Sequence, residues 1–185
     1  MSVIGIKIEY GIGDSNGDVA LQRFQAAMER FGNNIEDFGK FVFPRVTSLF
    51  EKTIDGQFQA RGHGTKGPWK ALSDDYKKWK DIHFPGKPLL EATGNMRAGL
   101  TNGSSGYAFR GTSPTVLAFG TQSVPYASYH QTGSPTLPVR PPFDFGSEFE
   151  DDLIQAMQLG VVDAARDAAL ELESENEKAY WAEKK

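Results

Sequence analysis

The apolar positions change period twice along this chain, and each change marks an element. Ile4, Ile6, Ile8 and Tyr10 alternate with small or polar residues, which predicts a half-buried strand. Gly11 to Gly17 is turn chemistry throughout, and Asp18 is placed to cap a helix by accepting hydrogen bonds from its first free N–H groups. Leu21, Phe24, Met28 and Phe31 then recur at helical spacing, and Gly32-Asn33-Asn34 is the expected stop. A second helix is expected from about Ile35, with Phe38, Phe41, Val42, Val46, Leu49, Phe50 and Ile54 as its apolar face. Pro44 predicts a kink or restart within it, and Asp55-Gly56 its end.

Residues 57–68 break the helical pattern with Phe58, Arg61, Gly62, His63, Gly64, Lys66 and Gly67, a basic, glycine-rich loop. The expectation is an arm over residues 56–69, too costly in entropy to order alone and made to contact a neighbour. Ser73 predicts a cap for a short helix through Lys80, and Thr93 a cap for another carrying Met96 and Leu100.

From Tyr107 the period falls to two. Tyr107, Phe109 and Gly111, then Val116, Ala118 and Gly120, alternate on either side of Thr112-Ser113-Pro114, which reads as a hairpin. Tyr126 to Gln131 fits one helical turn. Leu137 to Phe143 must be extended, because Pro138, Pro141 and Pro142 exclude helix and central strand. Helical spacing returns after Ser147 with Phe149, Leu153, Ala156, Met157, Val161, Ala164, Ala165, Ala168 and Leu172. Beyond Glu173 the stripe fades, and Tyr180-Trp181 stands in a charged tail, as an anchor for a neighbour or as part of a disordered end.

These elements predict an α+β fold. A small antiparallel sheet packs against two or three helices, with a protruding loop and a long C-terminal helix. The sheet would comprise the N-terminal strand and the hairpin, with the Pro138 segment as a candidate third member. Residues 1–146 form the α+β domain with its arm, and 147–185 an acidic helix and tail.

Charge sharpens this picture. Residues 141–185 carry 12 acidic and 4 basic side chains, against 12 acidic and 16 basic in the remainder. The acidic helix is therefore a solvated face, a surface for a charged partner, or a wall along which DNA slides without sticking. Its alanine stripe would lie on the body and its acids face outward. Cys is absent, so neither disulfide nor thiolate chemistry is available. The first residues lack the features of a signal peptide, and no apolar run is long enough for a bilayer.

Candidate chemistry is sparse. His63, His83 and His130 have no metal-ligand spacing, and no nucleophile elbow is present. Gly11-Ile12-Gly13 lacks the third glycine of a dinucleotide fingerprint, since position 16 is Asn16. Glu148, Glu150, Asp151 and Asp152 suit a helix dipole better than a cation. No catalytic, cofactor-binding or metal residue is expected. Arg61, His63, Lys66, Lys70, Lys77, Lys78, Lys80 and Lys87, interleaved with Trp69, Tyr76 and Trp79, raise nonspecific nucleic-acid contact as an alternative function. Arg140 is held extended by its prolines, which predicts a carboxylate or carbonyl partner for its planar fork.

Several segments agree in order with a known family: Gly67-Pro68-Trp69-Lys70-Ala71-Leu72-Ser73, Leu89-Leu90 with Thr93-Gly94, Phe119-Gly120-Thr121, Tyr126-Ala127, His130-Gln131, Gly133, and Pro138-Val139-Arg140-Pro141-Pro142-Phe143. Through them, over roughly residues 35–160, the chain resembles the virion morphogenesis (tail completion) proteins of tailed phages, the phage Mu G-like group among them. An extra proline before the Phe departs from the pattern. The resemblance implies a structural protein of the neck or upper tail that joins head to tail. It implies a ring, a hexamer by the symmetry of tails, around the DNA channel. Adjoining neck, connector or tail terminator proteins would be its partners, and its place the virion, after assembly in the host cytoplasm. Phe58, Arg61, His63, Trp69, Tyr126, Tyr129, His130, Arg140, Tyr180 and Trp181 are the candidate interface residues, with ordinary core packing as the plain alternative for Trp69, Tyr126 and Tyr129.

Overall fold

A computed structural model describes residues 15–183, with side chains over 26–170. The N-terminal strand expected at Ile4 to Tyr10 lies outside the described residues. The order is α1 (Ser15–Glu36), α2 (Val42–Ala60), α3 (Asp74–His83), α4 (Asn95–Thr101), β1 (Ala108–Ser113), β2 (Val116–Thr121), α5 (Ala127–Thr132) and α6 (Ser147–Glu183). This is an α+β fold in which, among the described residues, the sheet is the antiparallel pair β1–β2. The Pro138 segment adds no strand to it. A single bridge pairs Ser134 with Leu137 outside the sheet.

Helix α2 is the spine. Pro44 neither kinks nor restarts it, because it falls in the first turn, where its missing N–H has no intrahelical partner in any case. Asp55-Gly56 does not end it; α2 runs on to Ala60 and closes at Arg61, a left-handed residue at φ 58°. Gly32-Asn33-Asn34 likewise stays inside α1, where the Asn34 side-chain amide donates to the Ala164 carbonyl of α6 at 3.1 Å. A tertiary partner offsets the poor helix propensity of these residues.

Two apolar clusters flank α2. Val42, Phe43 and Val46 pack with Phe38, Leu117 and Leu153, while Ile54 and Phe58 pack with Trp69, Met96, Leu100 and Val124. Phe50 joins the clusters, with its ring 5.4 Å from Phe119 and Phe145 and 5.1 Å from Phe149. Helix α6 lies along α1 and α2 through Phe149, Leu153, Gly160, Ala164 and Ala168. At Gly160 a Cβ would sit 2.8 Å from the Val42 Cα, so the two helices touch through backbone. Met157, Val161 and Ala165, expected on this face, are exposed instead.

Polar side chains stitch the hairpin and α4 to the spine. Arg97 binds Asp55 and Glu91, and this pairing raises its pKa. Arg110 binds Glu51 at 2.8 Å and stacks on Phe119 with 3.6 Å to the ring centroid. The hairpin tip accepts the Phe38 N–H at the Pro114 carbonyl. No helix among the described residues is long and apolar enough to cross a membrane.

Candidate interface

The loop after α2 is clamped to the proline run. Arg140 is buried, and its guanidinium donates to the carbonyls of Lys70 at 2.7 Å and Ala71 at 2.9 Å. One residue on, the Pro141 carbonyl accepts the Trp69 indole N–H at 3.1 Å. The Asp144 carboxylate accepts the Thr65 hydroxyl and the Lys66 N–H, and its carbonyl accepts the Gln57 amide at 2.7 Å. Gln57, itself buried, takes the His63 N–H on its side-chain oxygen at 2.9 Å. These bonds tie the backbone of a largely exposed loop to partners inside the fold.

These bonds correct the expectation of a protruding arm at 56–69. Residues 57–60 are helical, and Phe58 and Trp69 are core residues, 1% and 7% exposed, with rings edge to face at 5.3 Å. Glycine serves close approach here: a Cβ on Gly64 would meet the Asp144 carbonyl oxygen at 2.1 Å. Phe58 and Trp69 therefore offer no surface to a partner. Arg61 and His63 are exposed.

The other motif residues converge on the same clamp. The His130 carbonyl accepts the Arg140 N–H at 2.9 Å, and the Gln131 side chain exchanges two hydrogen bonds with the Phe143 backbone. Tyr126 packs its ring edge to face on the His130 ring, and its hydroxyl lies 3.4 Å from the Thr93 hydroxyl. Tyr129 is 53% exposed. The Pro-Trp loop, the His-Gln turn and the Pro-Val-Arg-Pro-Pro-Phe run thus form one spatial unit, although they span more than seventy residues of sequence.

Electrostatics follow burial. Burial lowers the His130 pKa, and the Arg140 charge lowers it further, so a neutral imidazole is favoured. Burial also lowers the Arg140 pKa, with Tyr76 opposing. Burial would raise the Asp144 pKa, but the Thr65 hydroxyl, the Lys66 and Thr65 backbone and the Lys66 charge outweigh it and leave the carboxyl below its ordinary value.

What the sequence presented as an ordinary helix is exposed along almost its whole length. Of the ten residues of α3 only Lys80 is buried. Its ammonium donates to the carbonyls of Lys87 and Pro88, and burial lowers its pKa. Lys80 therefore leaves the basic cluster that raised nucleic-acid contact. Tyr76, Trp79 and His83 stack as an outer row, with centroids 5.4 Å and 4.4 Å apart. Trp79 is 44% exposed and Ile82 is 77% exposed. The clue in the sequence is an aromatic and apolar spacing of three and four without a second apolar row to face the core. Helix α6 continues through Tyr180 and Trp181, whose side chains lie outside the described ones.

No group of three or more His, Cys, Asp or Glu residues able to hold a metal occurs among the described residues. Comparison with known proteins finds no significant match to any family model, curated protein or solved structure.

Proposed function

We propose that this chain is a structural subunit of a tailed-phage neck or upper tail, which completes the tail or joins it to the head as part of a ring around the DNA channel. The observation that carries the reading is the convergence of the ordered motifs into one clamp. Trp69, Gln131 and Arg140 bind backbone and not one another's reactive atoms, so they fix shape. A rigid body with exposed Tyr76, Trp79, Ile82 and Tyr129 suits a part whose work is contact. Its partners on this reading are further copies in a hexameric ring and the adjoining neck, connector or tail terminator proteins. It assembles in the host cytoplasm and ends in the virion. The test is a density map of purified virions with the chain traced in it. The reading expects a closed ring on the tail axis; isolated copies away from that axis, or absence from the virion, overturn it.

A second reading, nonspecific nucleic-acid contact, draws on the stacked Tyr76, Trp79 and His83, with exposed Lys77 and Lys78 between the first two in sequence. It predicts DNA affinity that falls steeply as salt rises. The sequence pI of 5.4 and the internal use of Lys80 and Arg140 favour the structural role.

A further inference from the structure

The hairpin leaves a strand edge open. The Gln122 N–H donates to the Tyr107 carbonyl, and with Ser113 opposite Val116 this fixes the alternation of the ladder. Phe109 with Gly120, and Gly111 with Ala118, are then the pairs that exchange hydrogen bonds. The N–H and C=O groups of Arg110 and Thr112 therefore point away from β2. They meet no partner among the described residues. β1 is also the more open strand: Phe109, Thr112 and Ser113 are exposed, whereas residues 117–121 of β2 are half-buried. Such an edge is a template for a further strand. One more segment has the period of a strand, Ile4, Ile6, Ile8 and Tyr10, outside the described residues.

The hairpin of its own chain is out of that segment's reach. On α6, Phe149, Leu153 and Gly160 meet α2, and buried Ala164 and Ala168 continue the same stripe past the start of α2. Asn34 of α1 binds the Ala164 carbonyl, and α1 packs on α6 but not along α2. Ile154, Met157 and Val161, on the earlier turns of α6, stay exposed. Helix α1 therefore lies on the later turns, with Ser15 at its far end, about 33 Å from Glu36 at about 1.5 Å per residue. The hairpin tip sits at the near end, where the Pro114 carbonyl accepts the Phe38 N–H. From there the strands run the other way along α2, with Phe119 on Phe50 and Arg110 on Glu51. Ile6 precedes Ser15 by nine residues, which span about 32 Å at most. Fully extended, the chain brings Ile6 only level with the tip, and Ile8 and Tyr10 stop short of it.

From this arrangement we infer that residues 4–10 of one copy pair with the open β1 edge of a neighbouring copy, as a third strand of its sheet. This rests on the ring reading above and gives it a junction between subunits. Main-chain hydrogen bonds to Arg110 and Thr112 hold the contact, and the added strand brings a side chain beside exposed Phe109. The donor segment and the acceptor edge are different surfaces. The contact is therefore heterologous, the kind that closes into a ring when its rotation permits.

The absence of Cys makes the test clean. Lys7→Cys and Thr112→Cys are made as separate full-length proteins, and their melts are compared with the parent. Each alone and the two mixed, at high concentration, are treated with a short bismaleimide. The strand transfer predicts a dimer yield in the mixture several-fold above that of either variant alone. Gly5→Pro with Ile6→Pro in the Lys7→Cys chain should return the yield to that of the single variants. Of two adjacent residues one directs its N–H at β1, so the pair removes a ladder donor in either register. Ile6→Val, which keeps that donor, should leave the yield unchanged. A chain carrying both cysteines, diluted until copies no longer meet, should show no internal link between positions 7 and 112. A mixture no better than the single variants, a yield indifferent to the two prolines, or an internal link in the diluted double variant overturns the inference. The outcome is separable from the virion role: cross-linking by a protein absent from virions refutes the role alone, and a virion ring without cross-linking refutes the strand transfer alone.

Discussion

The loop at residues 61–69 and helix α3, its near neighbour in sequence, exchange the roles that their composition suggests. The loop is rich in glycine and basic residues, yet Gln57, Asp144 and Pro141 bind it from both sides and Trp69 seats it in the core. Helix α3 has regular spacing and Ser73 at its N-cap position, although the Ser73 side chain makes no capping bond, and only Lys80 is buried while its aromatic row faces outward. Glycine content reports what a backbone can adopt. What it does adopt depends on its partners, and two of these, Asp144 and Pro141, are more than seventy residues away.

The largest contrast is expected from Trp69→Ala against Trp79→Ala. Truncating the buried ring should cost about 3–5 kcal/mol of stability, and truncating the exposed one under about 0.5 kcal/mol, read as denaturant midpoints at equal m. Deletion of residues 60–66 should likewise collapse the monomer's melt, where a true arm would leave it unchanged.

Asp144→Ala comes next. It strips the Thr65 hydroxyl and the Lys66 N–H of their acceptor, at about 1–3 kcal/mol. Because the folded pKa of Asp144 is depressed, its contribution is present above the unfolded carboxylate range and is lost as pH falls through the folded value. The parent should therefore lose stability in acid more steeply than the variant, in paired melts across that range.

Arg140→Lys should cost about 1–2 kcal/mol, since one ammonium cannot reproduce the two-carbonyl grip of the planar fork. A melt equal to the parent's would show that either carbonyl alone suffices. The smallest effect belongs to His130. Its folded pKa is depressed, so stability is full above the unfolded histidine value and is lost as pH falls below it toward the folded one. His130→Gln should flatten that part of the stability profile.

The sequence made the local elements legible. The hairpin, the α4 residues Met96 and Leu100, and the extended proline run all follow from period and from proline, although Thr112 and Ser113, expected in the turn, belong to β1 and Ser113 pairs with Val116. Helix ends were less legible, because Gly32 and Gly56 look like stops until α6 and the core supply reasons to continue. The carbonyl partners of Arg140 were foreseeable in kind, since prolines fix its direction, but not in place. The clamp itself was hidden: nothing local to Asp144 or Gln57 signals that they meet across 87 residues. The exposed row on α3 was visible as spacing, but burial decides its meaning, and burial is a property of the whole fold.

Hydrogen exchange in the isolated monomer tests most directly whether the loop is scaffold and α3 is surface. The amides of Gly62, His63, Lys66 and Trp69 donate to Gln57, Asp144 and Arg61 acceptors inside the fold. They should exchange near the rate set by global unfolding, while the α3 amides from Lys77 to His83 exchange through cheaper local opening. Loop amides that exchange as freely as an unstructured peptide, beside a protected α3, would contradict the account.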